Sequence, residues 1–339
     1  MPSPSPQLRV GILTAGGDCQ GLNAVLRAVS LSAMEQWNAQ LIGFEDGFLG
    51  LQTGASRPLQ RADVIGIINQ GGSILGSGRG GQGSAQETTK IVADCVASYR
   101  AAELDLLVCL GGDGTQRFSS MLSDAGLRIL TLPKTIDNDI PGTDYCFGFD
   151  SAIEVGVDAL DRLHTTTSSH HRVMVVEVMG RRAGWLAAAV GLAGGADIVL
   201  LPEIPYDLTQ VAAAVKARAT RGRHYAMLVV AEGARPAGAP DEYPLHGTAQ
   251  EVLQKLPELT GLETRLTTLG YVMRGGAPSA TDRILASQLG AAASQLMDQP
   301  ELGLMLAWRD GNVVPVPLSE IAGPARAIPP DHPLLETLR

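Results

Sequence analysis

Along this chain a short apolar run, a glycine-rich break and a helix-patterned segment recur in that order, the signature of an α/β protein with a largely parallel sheet. Arg9 to Thr14 reads as the first strand. It breaks at Ala15-Gly16-Gly17-Asp18, and apolar residues then recur at helical spacing from Leu22 to Met34. The pattern repeats as a strand over Leu104 to Leu110, a turn over Gly111 to Thr115 and a helix over Gln116 to Ala125, followed by a strand from Arg128 to Leu132 that stops at Pro133. Asp150 or Ser151 is expected to cap a helix running to about Leu163 and emerging into polar Thr165 to His171, since Glu154 stands three residues after Ser151 as in a capping box. Strands are expected over Arg172 to Val178, Ile198 to Leu201 and Ala226 to Ala231, and a helix over Ala183 to Leu192 that Gly194-Gly195 stops. Gly233 to Gly247 holds three prolines and three glycines, so it is expected as a mobile surface excursion where a lid or substrate loop would sit.

A length of 339 residues exceeds the usual single core, and two domains are expected. A net charge of -9 and an aromatic content of 4% argue against a nucleic-acid groove, which needs a basic face and stacking rings. Cys19, Cys95, Cys109 and Cys146 show no C-x-x-C spacing and read as reduced core thiols. Residues 1–7 carry no apolar signal region, and no run reaches the roughly 20 apolar residues that span a bilayer. The expected compartment is the cytosol, with neither membrane nor nucleic acid as a partner.

In parallel sheets ligands gather at the carboxyl ends of strands, where most of the glycine- and charge-rich segments fall. Gly16-Gly17-Asp18 and Gly111-Gly112-Asp113-Gly114-Thr115 each offer small side chains, bare backbone N–H groups and a following helix, which suits polyphosphate. Either turn alone reads equally well as a packing turn; two of them on one sheet favour a ligand. Asp113 is the candidate to hold magnesium. Neither turn is a Walker A loop, which disfavours a P-loop hydrolase. Pro133-Lys134-Thr135-Ile136-Asp137-Asn138-Asp139 crowds two carboxylates and a hydroxyl beside a lysine at a strand end. Its plain alternative is a solvated turn. Moving a phosphoryl group to an alcohol calls for one carboxylate to take the hydroxyl proton and another to orient metal or substrate. In an extended segment Asp137 and Asp139 would face one side and Asn138 the other. Arg172, Arg181, Arg265 and Arg274 fall at or near strand ends, where guanidinium groups neutralise phosphate. Each of them alone is more often a surface residue. His170 and His171 have no metal-ligand spacing and read as a polar turn.

Taken in order, these motifs resemble the phosphofructokinase family over nearly the whole chain. The resemblance rests on Gly11 to Asp18, Gly111 to Thr115, Pro133 to Asp139, Glu177-Val178-Met179-Gly180-Arg181, Pro202-Glu203, Arg274-Gly275-Gly276 and Asp282-Arg283. It implies two Rossmann-like three-layer α/β domains with largely parallel sheets and the active site in the interdomain cleft. Residues 7–148 with 274–325 would form the phosphoryl-donor domain, and 149–273 with 326–339 the fructose 6-phosphate domain. The implied activity is transfer of a phosphoryl group to the 1-hydroxyl of fructose 6-phosphate. Asp137 would be the general base with Thr135 and Asp139 beside it, and Arg181 would stabilise the transferring group. Met179, Gly180, Glu232, Tyr271 and Arg274 would hold the sugar phosphate. Arg172 and Arg265 would come from a neighbouring subunit, so a homodimer or homotetramer with shared active sites is implied. Gly17, Arg79, Gly112, Asp113, Gly114 and Thr115 would surround the donor and its Mg2+.

The departures from the family pattern bear on specificity. Many relatives carry histidine where this chain has Tyr271, which still donates one hydrogen bond. Leu31 and His164 stand where allosteric bacterial enzymes place effector-binding basic residues, so regulation of that type is not expected. Two residues bear on the donor. Pyrophosphate users typically carry aspartate at the place of Gly114, where it obstructs the nucleotide's α-phosphate, and Gly114 leaves that space open. Lys134 points the other way, being common among pyrophosphate users. An obstruction is harder to evade than an added positive charge. ATP is therefore the expected donor and pyrophosphate the alternative. Lipid or NAD kinases share Gly-Gly-Asp-Gly-Thr but not the full motif order, and a noncatalytic subunit would be expected to lack Asp137 or Arg181.

Overall fold

The computed structural model describes residues 7–78, 84–220, 224–240, 243–300, 302–321 and 323–338. Arg9–Ala15 (β1) leads through the glycine turn into Leu22–Trp37 (α1), then come Gln40–Phe44 (β2), Phe48–Thr53 (α2), Ser56–Leu59 (β3) and Arg61–Val64 (α3). Ala85–Ala101 (α4), Leu106–Gly111 (β4), Asp113–Asp124 (α5) and Ile129–Pro133 (β5) follow, then the long helix Phe149–His170 (α6). Val173–Val178 (β6), Trp185–Ala193 (α7), Ile198–Leu200 (β7), Leu208–Thr220 (α8), Ala226–Ala231 (β8), Gly247–Thr260 (α9) and Thr264–Thr268 (β9) continue the alternation. Ala280–Gln295 (α10), Leu304–Arg309 (β10), Asn312–Pro317 (β11) and Pro333–Leu338 (α11) complete it, with 3-10 turns at Gly270–Arg274 and Leu318–Glu320.

Two compact units result. The first contains Met1–Thr135, Ile140–Ser151 and Arg274–Pro324, the second Ile136–Asp139, Ala152–Met273 and Ala325–Arg339. In the first, a seven-stranded sheet runs β11-β10-β5-β4-β1-β2-β3, parallel except for the β10–β11 and β2–β3 pairs. Every residue of β4 and β5 is buried, as expected of strands covered on both faces, and Leu13, Phe44, Phe48, Leu107, Phe118 and Leu122 fill the core. Register places the ends of three strands side by side, Ala15 opposite Gly111 and Gly111 opposite Pro133. The segments that leave them are the three motifs singled out in the sequence. In the second unit a parallel four-stranded sheet runs β7-β8-β6-β9, with β6 and β8 wholly buried. Val178 pairs with Ala231, so the segments beginning at Met179 and Glu232 leave from neighbouring positions. Both units are Rossmann-like, as expected.

Several boundaries differ from the sequence reading, each for a local reason. The helix expected from Gln116 begins at Asp113, because Gly112 takes the extended N-cap conformation and Asp113 complements the positive end of the helix. The preceding strand starts at Leu106 rather than Leu104: the Leu104 amide turns back to Tyr99 O (3.2 Å) and closes α4. The capping box expected at Ser151 does not form. α6 already begins at Phe149, and Ser151 gives both its amide (3.0 Å) and its hydroxyl (2.5 Å) to Asp282 Oδ2. Nor does this helix end at Leu163. Thr167 donates to Leu163 O (2.6 Å) and Ser169 to Thr165 O (2.8 Å), so the hydroxyls expected to mark a polar turn bond back along the helix. His164 therefore lies within it and His170 ends it, while His171 turns at φ 51.

Candidate active site

In the first unit the glycine segments after β1 and β4 are tied to the residue that leaves β5. Lys134 N donates to Gly111 O (3.0 Å), the buried Lys134 Nζ donates to Gly17 O, and Gln116 Nε2 also reaches Gly111 O (3.0 Å). Gly111 has to be glycine, since a Cβ there would collide with the buried Thr115 side chain packed over it. Arg274 Nη1 donates to Asp18 O (2.8 Å), which brings this arginine to the Gly17-Asp18 turn. No side chain caps α5, so its first turn, Asp113 to Thr115, offers backbone N–H groups at the positive end of a helix. Gly114 is exposed there. Asp113 is bound by Arg117 through two contacts (3.1 and 3.0 Å). That cation leaves no pattern in the sequence beyond standing four residues along the helix. Arg79 lies outside the described residues.

Thr135 to Asp139 is buried throughout, with Asp137 4% and Asp139 6% exposed. Two carboxylates this deep are costly unless their surroundings are built for them. The chain is not extended as expected: Asn138 has φ 53, which breaks the strict alternation that would have set Asp137 and Asp139 on one side. Asn138 and Asp139 are held from the far end of the chain. Arg326 Nη2 donates to Asn138 O (2.9 Å) and Arg326 N to Asp139 O (2.7 Å). The guanidinium lies 4.2 Å over the Trp185 ring, and Trp185 Nε1 donates to Arg326 O (2.8 Å). Sequence reasoning missed Arg326, which is remote in the chain and sits in no local pattern.

At the carboxyl ends of β6 and β8, the Glu232 carboxylate accepts the amides of Gly180 (3.3 Å) and Arg181 (2.6 Å). Arg181 has φ 53 and an exposed side chain. Gly233 permits this approach, because a Cβ would strike the Arg181 carbonyl. His246 closes the cluster, with Nδ1 3.1 Å from Glu177 Oε1 and Nε2 3.5 Å from Glu232 Oε2. Burial holds the Glu177 carboxyl above its usual range against the lowering pull of His246, and the Glu232 charge adds to the rise. Met179 leaves β6 beside this cluster, and Tyr271, 78% exposed, follows β9.

Arg172 and Arg265 do not join this group. Arg172 precedes β6 and Arg265 is the second residue of β9, so both stand at the amino ends of the strands whose carboxyl ends carry Met179 to Arg181. The length of β6, about 17 Å at roughly 3.3 Å per residue, separates the two ends. The pair shares Glu263, which lies 3.6 Å from Arg172 and is also bound by Arg265.

A capless helix start beside glycine turns on one sheet, and buried carboxylates with guanidinium groups on another, are the components that phosphoryl transfer employs. The sequence pattern described as Phosphofructokinase matches residues 9–297. The chain is 44% identical over 349 residues to the ATP-dependent 6-phosphofructokinase of Spirochaeta thermophila, covering 97% of this chain and 95% of that one. It is 40% identical to the pyrophosphate–fructose 6-phosphate 1-phosphotransferase of Amycolatopsis methanolica, covering 96% and 97%. The crystal structure of Pichia pastoris phosphofructokinase in the T-state superposes with a TM-score of 0.85 at 31% identity, over 95% of this chain and 36% of the much longer yeast chain. This chain belongs to the phosphofructokinase family.

Proposed function

We propose that the protein is an ATP-dependent 6-phosphofructokinase, moving the γ-phosphoryl group of ATP to the 1-hydroxyl of fructose 6-phosphate and so acting in glycolysis. One observation carries the reading: Thr135 to Asp139 is a wholly buried segment holding two carboxylates, in a chain 44% identical along 97% of its length to a relative named for this reaction. In this reading Asp137 takes the proton of the 1-hydroxyl as oxygen attacks phosphorus. Thr135 and Asp139 fix the acceptor beside it. Arg181 faces the negative charge on the transferring group, and the bonds from Glu232 to the Gly180 and Arg181 amides keep that backbone in place. Met179, Gly180, Glu232, Tyr271 and Arg274 hold the sugar phosphate. The donor phosphates lie against Gly17, Arg79, Gly112, Gly114 and Thr115. The donor domain is 7–148 with 274–325, and the sugar-phosphate domain 149–273 with 326–339.

Mg2+ fits this set. No group of three or more His, Cys, Asp or Glu that could hold a metal ion occurs among the described residues, whereas Mg2+ asks for only one or two carboxylates, with phosphate oxygens and water completing its shell. Asp113, with its side chain 21% exposed, is the carboxylate that would hold it, after exchanging its pairing with Arg117. When bound, the ion neutralises phosphate charge.

ATP is favoured because Gly114 is exposed and adds no side chain to the start of α5. Pyrophosphate is the second reading, and it rests on Lys134 and on the Amycolatopsis relative. Separation of Arg172 and Arg265 from Arg181 supports a homodimer or homotetramer in which the two arginines serve a neighbour's site. Four buried free cysteines, with the Cys19, Cys95 and Cys109 thiols pushed up to about 12 by burial, suit the reducing cytoplasm. No helix among the described residues is long and apolar enough to cross a membrane.

Replacing Asp137 tests the catalytic assignment. Asp137→Ser is expected to lower kcat by about 10²- to 10⁴-fold while fructose 6-phosphate still binds in a calorimetric titration. Turnover close to that of the wild type would overturn the assignment.

A further inference from the structure

His246 was assigned no role by its sequence, yet it makes three connections to the floor of the acceptor site. Its amide donates to Glu232 O (2.8 Å), its Nδ1 bonds Glu177 Oε1 (3.1 Å), and its Nε2 stands 3.5 Å from Glu232 Oε2. Both carboxylates are buried, with side chains 6% and 5% exposed, while the His246 side chain is 60% exposed. The residue sits at the N-cap of α9, but its ring makes no capping bond to that helix. The ring points back to the carboxylates, and the backbone takes φ 67, a conformation uncommon for residues that carry a side chain. Local helix chemistry therefore does not account for its placement.

Two buried carboxylates set near one another repel unless a donor lies between them. Among the described residues, the groups that face this pair are the His246 ring and the Gly180 and Arg181 amides, and only His246 touches both carboxylates. Glu232 spends Oε1 on the two amides, so the position of Oε2 decides how squarely Oε1 meets them.

We propose that His246 is a positioning residue for phosphoryl acceptance: its imidazole, bonded to Glu177 and set against Glu232 Oε2, holds the Glu232 carboxylate on the Gly180 and Arg181 amides. This rests on the phosphofructokinase reading for its consequence, but not for its geometry. The ring acts through Glu232 and does not touch the reacting atoms. Its loss releases Oε2, lets the carboxylate swing, and loosens the two amides that hold Arg181.

The test uses the protein with His246→Gly, which suits the positive φ and removes the whole side chain, and His246→Asn, which keeps a side-chain donor and tolerates the same backbone. Hydrogen exchange at the Gly180 and Arg181 amides is expected to quicken about tenfold or more in the glycine variant, while β4 amides in the other unit keep their protection. The same variant is expected to lose about tenfold in kcat/KM for fructose 6-phosphate with KM for ATP unmoved, and the asparagine variant to recover part of both effects. Unchanged exchange at Gly180 and Arg181 overturns the proposal, as does a loss spread equally over both substrates. A wild-type enzyme that ignores fructose 6-phosphate would instead sink the functional reading, and the exchange result would still decide the role of His246.

Discussion

Asp282 shows how much a single buried carboxylate governs here. It is fully buried, its carboxylate accepts the amide and hydroxyl of Ser151, and its own amide donates to Ser279 Oγ (3.1 Å). Burial pushes its carboxyl up to about 6 against the pull of those Ser151 bonds. A carboxyl raised above its usual 3.8 holds protons more tightly in the folded than in the unfolded chain. Its contribution to stability is therefore fully present below about pH 4 and is lost as pH rises through about 6, at a cost on the order of 3 kcal/mol. Asp282→Asn, uncharged at every pH, is expected to flatten the urea midpoint between pH 4 and pH 7 relative to the wild type. Identical slopes for the two proteins would contradict this. Residue chemistry of this kind was only partly legible in the sequence. Asp137, Asp139 and Arg181 stood out because the reaction demands those side chains at strand ends. The turn at Asn138, the Arg117 partner of Asp113 and the reach of His246 depend on backbone angles and contacts that no spacing encodes.

Helices and strands were legible where apolar periodicity was strong, as in β1, α1 and β8, and less so where polar groups chose between local and distant partners. Ser151 looked like a cap and serves Asp282 instead; Thr167 and Ser169 looked like a loop and bond back within α6. The segment after Pro324 is a further case, since nothing in its composition announces that Arg326 holds Asn138 and Asp139. Arg326→Ala removes a charge-assisted bond and a cation–π contact with Trp185, and is expected to cost about 2 kcal/mol in urea unfolding. Faster hydrogen exchange across residues 138–140 is expected with it. A variant as stable as the wild type, with those amides equally protected, would show that the C-terminal segment merely rests on the loop.

For the whole molecule, the arginines at the amino ends of β6 and β9 pose the question of assembly. If Arg172 and Arg265 serve a neighbour, then Arg172→Ala and Asp137→Asn preparations, each poorly active, are expected to regain activity when dissociated and reassembled together. Such mixing would create sites that carry Asp137 from one chain and Arg172 from the other. No gain on mixing would place both residues in one chain's site. Donor and acceptor are identified together by the rate of fructose 1,6-bisphosphate formation from fructose 6-phosphate and Mg2+, with ATP in one reaction and pyrophosphate in another. Turnover with ATP and none with pyrophosphate is the predicted result; turnover with pyrophosphate alone would contradict it and show Lys134 to be a better guide than Gly114.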